Sequence, residues 1–127
     1  MPIIRLKSGA ALLNPRRGIL HTVSWQVRSN VWSPPTDVYE TEEAFIVRVE
    51  IAGMRDEDFD VTLENNLLFI SGSRPELRER RAYHQMEIHF GKFATTVGVP
   101  GPVSVDKAGA EYADGFLTVT LPKMEPV

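Results

Sequence analysis

The feature that most constrains this chain is a two-residue alternation of apolar and polar side chains between Ala44 and Leu121, broken at short intervals by turn-forming residues. Phe45, Val47, Val49 and Ile51 share one side of the first run, with Arg48 and Glu50 between them. Successive side chains of a strand point to opposite faces, so this is the pattern of a strand buried on one face only. Val61 and Leu63 repeat it with Asp60, Thr62 and Glu64 opposite, and Leu68 and Ile70 do so beyond Asn65-Asn66. Asparagine tolerates left-handed backbone, so Asn65 and Asn66 are expected to form the tight turn between these two strands. Met86, Ile88 and Phe90 alternate with Glu87 and His89, and Phe93, Thr95, Val97 and Val99 follow until Pro100-Gly101-Pro102. Ala108, Ala110 and Tyr112 then lead into Asp114-Gly115, and Leu117, Val119 and Leu121 lead out. That is the clearest hairpin signal in the chain. Gly53 and Gly91 break the alternation elsewhere and are read as further turns.

Seven to eight short strands with turn chemistry between them, and no helical period, predict an all-β antiparallel sandwich or barrel. A length of 127 residues suits one domain, large enough to bury a core without staples. The chain divides into an irregular arm, residues 1–33, the strand-rich domain, residues 34–123, and a short tail, residues 124–127. The arm is expected to be flexible or partly ordered. Near its start, Arg5 and Lys7 stand where a secretory signal would need an apolar run, so the expected location is the cytoplasm. The absence of cysteine suits a reducing compartment and removes disulfides, thiol catalysis and thiolate metal sites together.

Chemistry-bearing constellations are few. Glu87 and His89 would share a strand face, but His84 would fall on the other, so no metal site is expected there. Arg74 to Arg81 holds four Arg against two Glu with no interleaved aromatic, which is a solvated loop and not a nucleic-acid platform. A net charge of −3 gives no general attraction to nucleic acid, and no apolar run spans a membrane. Asp56-Glu57-Asp58 lies in a turn open to water, and no phosphate loop, G-x-S-x-G elbow or H-E-x-x-H is present. The chain is therefore expected to bind without catalysing, with no cofactor. A carbohydrate-binding module would want a row of exposed aromatics, whereas Tyr39, Tyr83 and Tyr112 are scattered.

Five segments in order resemble the α-crystallin domain of the small heat-shock protein family, in its bacterial and plant form. They are Trp32 to Thr41, Val49 to Met54, Glu64 to Arg74, Gly91-Lys92-Phe93, and Ala110 to Lys123. The last is similar to the family's A-x-x-x-[DN]-G-x-L element with its Pro-Lys ending. The resemblance implies an immunoglobulin-like sandwich and an ATP-independent chaperone of the stress response, a holdase that binds partly unfolded proteins and limits their aggregation. The alternative is a co-chaperone or adaptor sandwich docking on one folded partner. The long stretch between Arg74 and Phe90 argues against such a compact monomer.

The resemblance also implies a homodimer. The segment from Tyr83 to His89, with Met86 and Ile88, would pair with the strand around Val38 and Tyr39 of a second copy. A two-fold contact of that kind buries on the order of 1,600 Å² or more. Thr95 stands where many members carry an arginine that helps to hold the dimer. The family's I-x-I tail docks in a groove that would fall between Val61 and Leu63 on one side and Ala108 and Ala110 on the other. The chain ends Met124-Glu125-Pro126-Val127 without that motif, so higher assembly is less expected and the groove is open to clients or the arm. Within the arm Val23, Trp25 and Val27 keep a two-residue spacing. They read equally as client contacts, with Trp25 and Trp32 as anchors, or as a strand covering the domain's own core.

Overall fold

The computed structural model describes residues 3–4, 6–8, 31–76 and 81–124. Among them are nine strands: β1 (Ile3–Ile4), β2 (Leu6–Ser8), β3 (Thr36–Glu40), β4 (Ala44–Glu50), β5 (Phe59–Glu64), β6 (Leu67–Arg74), β7 (Gly91–Gly98), β8 (Gly109–Ala113) and β9 (Phe116–Pro122). One sheet has the order β1-β8-β9-β4-β3 and the other β2-β5-β6-β7. The predicted all-β sandwich is the fold observed.

The alternation in the sequence is the alternation of the core. Val47, Val49, Leu68, Ile70, Leu117, Val119 and Leu121 are fully buried, while Arg48 and Glu50 between them face solvent. Phe93 lies at the centre against Phe59, ring centroids 6.1 Å apart and edge to face. Burial of this one apolar cluster is the main favourable term in folding, at roughly 25 cal/mol per Å² of apolar surface.

Both predicted hairpins are present, and each is made by local backbone chemistry. Asn65 and Asn66 have φ of 51° and 62°, and Asp114 and Gly115 have 53° and 84°. Two successive positive values mark the type I′ turn, whose twist matches that of paired strands. The turns close the registers Glu64↔Leu67 and Ala113↔Phe116. Gly53 and Gly91 also take positive φ, 79° and 84°, where the sequence placed turns.

The structure differs from the sequence reading in three places. Tyr83 to Phe90, whose alternation predicted a strand, forms none. A strand needs a partner edge as well as a side-chain pattern, and no edge of the same chain lies beside this segment among the described residues. Second, within the arm read as flexible or partly ordered, Ile3–Ile4 and Leu6–Ser8 form strands that the sequence did not mark, each paired with a strand of the sandwich. Third, Trp32, read either as an adaptable anchor or as part of a strand covering the core, is bonded to β7: its N–H donates to the Lys92 carbonyl at 3.2 Å, and its carbonyl accepts from Ala94 N–H at 3.0 Å. Val23, Trp25 and Val27 lie outside the described residues.

Candidate functional site

Three surfaces carry backbone or apolar groups that a second polypeptide could use. The first is β3, the outer strand of its sheet. It pairs with β4 alone among the described residues, through registers that include Val38↔Val47 and Tyr39↔Ile46. Val38 therefore shares the face of the buried Val47, yet is 46% exposed because nothing flanks it beyond the edge. Tyr39, on the opposite face, is 49% exposed. An edge of this kind is a template for strand addition.

The second surface is the segment after residue 80. Tyr83, Met86 and Ile88 are all exposed, Ile88 to 67%. Three apolar side chains in solvent on one irregular stretch are unusual unless a partner covers them. The base of the segment, by contrast, is fixed. Arg74, the last residue of β6, donates through Nε to the His89 carbonyl at 2.8 Å and through Nη2 to the same oxygen. Its guanidinium lies 4.5 Å from the Trp32 ring centroid, and the His89 ring stacks on Trp32 at 5.2 Å with an 18° interplanar angle. Trp32 Nε1 also donates to the Gly91 carbonyl at 3.3 Å. The clamp borders an open cavity of about 500 Å³ lined by Trp32, Met86, Ile88, His89 and Phe90.

The third surface is the end of the sandwich between β5 and β8. Val61, Leu63 and Ala110 belong to the buried core, and Ala108 packs against it half-buried. Residues 3–4 and 6–8 pair at this end. Ile3 and Ile4 pair antiparallel with Glu111 and Ala110 of β8, and Leu6, Lys7 and Ser8 pair parallel with Val61, Thr62 and Leu63 of β5.

No group of three or more His, Asp or Glu side chains able to hold a metal is found among the described residues. His89 is committed to its stacking on Trp32. Arg55 is held above its ordinary pKa by a hydrogen bond from its guanidinium to Asp58, then by the charges of Asp58 and Glu57. That cluster is on the surface, where water screens it. Among the described residues no helix is long and apolar enough to cross a membrane.

Residues 37–127 match the Hsp20/alpha crystallin family. The chain belongs to that family. Heat shock protein 16 of Schizosaccharomyces pombe is 35% identical over 97 residues, covering 73% of this chain and 68% of that protein. Small heat shock protein C2 of Rickettsia felis is 32% identical over 94 residues, covering 72% of this chain and 61% of that protein's length. Among solved structures, Heat shock protein 16.0 from Schizosaccharomyces pombe superposes with a TM-score of 0.67 at 33% identity, covering 76% of this chain and 71% of that one. HSP18.5 from E. histolytica superposes at 0.68 with 26% identity, covering 76% and 93%.

Within this α-crystallin sandwich, the clamp was not found from sequence, and the arm was named as an occupant of the groove without the residues that pair there. The clamp of Trp32, Arg74 and His89 joins residues far apart in the chain, and no local spacing marks it. The pairing of residues 3–8 had a faint signal in the apolar Ile3, Ile4 and Leu6, a run too short to register as a strand.

Proposed function

We propose that this protein is an ATP-independent holdase of the cytoplasm that captures partly unfolded polypeptides under stress and keeps them from aggregating, without catalysis. The observation that carries the reading is the segment Tyr83–His89, whose Met86 and Ile88 are exposed and pair with no strand among the described residues. Membership of the Hsp20/alpha crystallin family supports it. So does the lack of cysteine, which suits a reducing compartment.

The active unit in this reading is a two-fold dimer. The segment of each copy adds to the free edge of β3 of the other, bringing Met86 and Ile88 against the exposed Val38 and Tyr39. Addition of an extended segment to a sheet edge takes its affinity from main-chain hydrogen bonds and its selectivity from alternate side chains. The clamp at Arg74 and His89 fixes where the segment leaves the domain, so less ordering is required when it pairs. Higher assembly of such dimers, and client contacts by the arm at Val23, Trp25 and Val27, belong to the same proposal.

The test is light scattering from an aggregating substrate protein on heating, without ATP, at several ratios of this protein. Suppression at near-stoichiometric ratios is expected. No suppression by the folded protein would overturn the holdase reading and favour an adaptor with one folded partner.

A further inference from the structure

Arg74 stands where the two halves of one pairing device meet. It ends β6 and pairs with Gly91 at the start of β7, so residues 75–90 connect the two strands of a hairpin. On the returning leg its guanidinium grips the His89 carbonyl through Nε and Nη2, two residues beyond that last ladder pair. The held chain ends there, and the exposed Ile88 is the first residue past the grip.

Through Nη1 the same guanidinium donates to the Ala52 carbonyl at 3.4 Å, in the turn that follows β4. β4 is the strand against which β3 is laid, from Thr36↔Val49 to Glu40↔Phe45. The guanidinium also lies 4.5 Å from the ring centroid of Trp32, which stands shortly before β3 begins at Thr36. One planar group thus joins the root of the outgoing segment, in one sheet, to the entry and the support of the accepting edge, in the other. A guanidinium suits this because its five donors form a rigid fork, whereas an ammonium is a compact charge that fixes no plane.

The angle held in this way governs what assembly results. Two copies that have exchanged one segment can exchange the second without a new encounter, provided donor and acceptor within each copy face the right way. The contact then closes on a two-fold axis. Otherwise the second segment reaches a third copy, and the contact runs on.

We propose that Arg74 is the positioning residue of the exchange: it holds the leg at His89 in one direction relative to β3 of its own copy, and so closes the pairing at two copies. Closure rests on the dimer reading; the fixed direction does not.

The test uses the full chain. It has no cysteine, so Glu42→Cys and Glu87→Cys place spin labels at two chosen sites, the bend after β3 and the leg beyond the grip. Dilution into unlabelled chain restricts the measured distance to one copy. The distance distribution should be at least twice as broad in Arg74→Gln, and in Arg74→Lys, as with Arg74 intact. Equal widths would overturn the proposal, and so would an unbroadened Arg74→Lys, which keeps a cation beside Trp32 without the fork. Native mass spectrometry then counts copies. Closed exchange gives the parent even numbers only, whereas both Arg74 variants should show at least tenfold more odd-numbered assemblies. A merely structural loss would instead speed hydrogen exchange along the β4–β9 ladder and leave the folded fraction in even numbers, which would overturn closure. Arg55→Gln removes an exposed cation paired with Glu57 and Asp58 and should match the parent in every readout. A monomeric parent with the expected widths would overturn the dimer reading, and closure with it, and leave the fixed direction standing.

Discussion

The Tyr112 hydroxyl donates a hydrogen bond to the Ile51 carbonyl at 2.7 Å and accepts one from the Met54 N–H at 3.4 Å. A side chain of β8 thus satisfies the turn that follows β4, 61 residues away in sequence. The same turn is held from the other direction by Ile51 N–H, which donates to the Gly115 carbonyl at 2.8 Å. Tyr112→Phe keeps the ring against Phe59, centroids 5.0 Å apart, and removes only the hydroxyl. The variant should lose about 0.5–1.5 kcal/mol, the net worth of an ordinary hydrogen bond, with an unchanged m-value in urea. Stability equal to the parent would mean that water replaces the hydroxyl without cost.

Among the described glycines, Gly72 has least room. A Cβ built there would lie 2.4 Å from the Asp58 carbonyl oxygen and 2.9 Å from Cζ of Phe93. Backbone on one side and a fully buried ring on the other leave nothing to yield, so Gly72→Ala should destabilise by roughly 1–3 kcal/mol. Gly98 in the neighbouring strand faces open space. Gly98→Ala is the matched control and should change stability by no more than about 0.5 kcal/mol in either direction. Thermal unfolding of the pair decides the matter, and similar melting temperatures would refute the contact.

At Gly115 the constraint is conformational. Its φ of +84° is one that L side chains rarely adopt, and a β-branched residue least of all. Gly115→Val should cost roughly 1–3 kcal/mol, because the type I′ turn must strain or change type. Denaturant unfolding measures it, and a midpoint equal to the parent's would remove the turn assignment.

Met86 and Ile88 separate folding from association. Both are largely exposed in the single chain, so the double change Met86→Asp, Ile88→Asp should alter the stability of the unassociated domain by no more than about 0.5 kcal/mol. Placed against Val38 and Tyr39 of a second copy, the same carboxylates would be desolvated without a partner. The proposed dimer should therefore dissociate at tens of micromolar in light scattering. A variant that stays dimeric would place the interface elsewhere.

Much of this fold was legible because its decisive signals are local. Asn65-Asn66 and Asp114-Gly115 carry their turn geometry in the residues themselves, and the period-2 runs around Val47, Ile70 and Val119 name the core face wherever the strands end up. Contacts between residues distant in sequence were not legible. Gly72 reads as a weak strand residue until Asp58 and Phe93 are placed on either side of it. Tyr112 reads as one more apolar position until Ile51 arrives beneath its hydroxyl. Among the candidate surfaces, Val38, Tyr39, Met86 and Ile88 were named because the resemblance implies an exchanged strand there, and Met86 and Ile88 are apolar at alternate positions. Arg74 could not be named, since an arginine in a charged run gives no sign that it will grip a carbonyl fifteen residues on.

Residues 3–8 have a consequence for the order of events on folding and on heating. Ile3 and Ile4 find partners only in the β8 hairpin near the far end of the sequence, and Leu6 to Ser8 only in the other sheet. Both halves of the pairing can be held at once only when the two sheets lie side by side, so the complete crossing is expected late in folding. Its two ladders are shorter than the other strand ladders among the described residues, so it is expected to open before them. Warming would then loosen this crossing while the interior around Phe93 is still intact, so the backbone groups of β5 and β8 that it pairs would meet water before the core does.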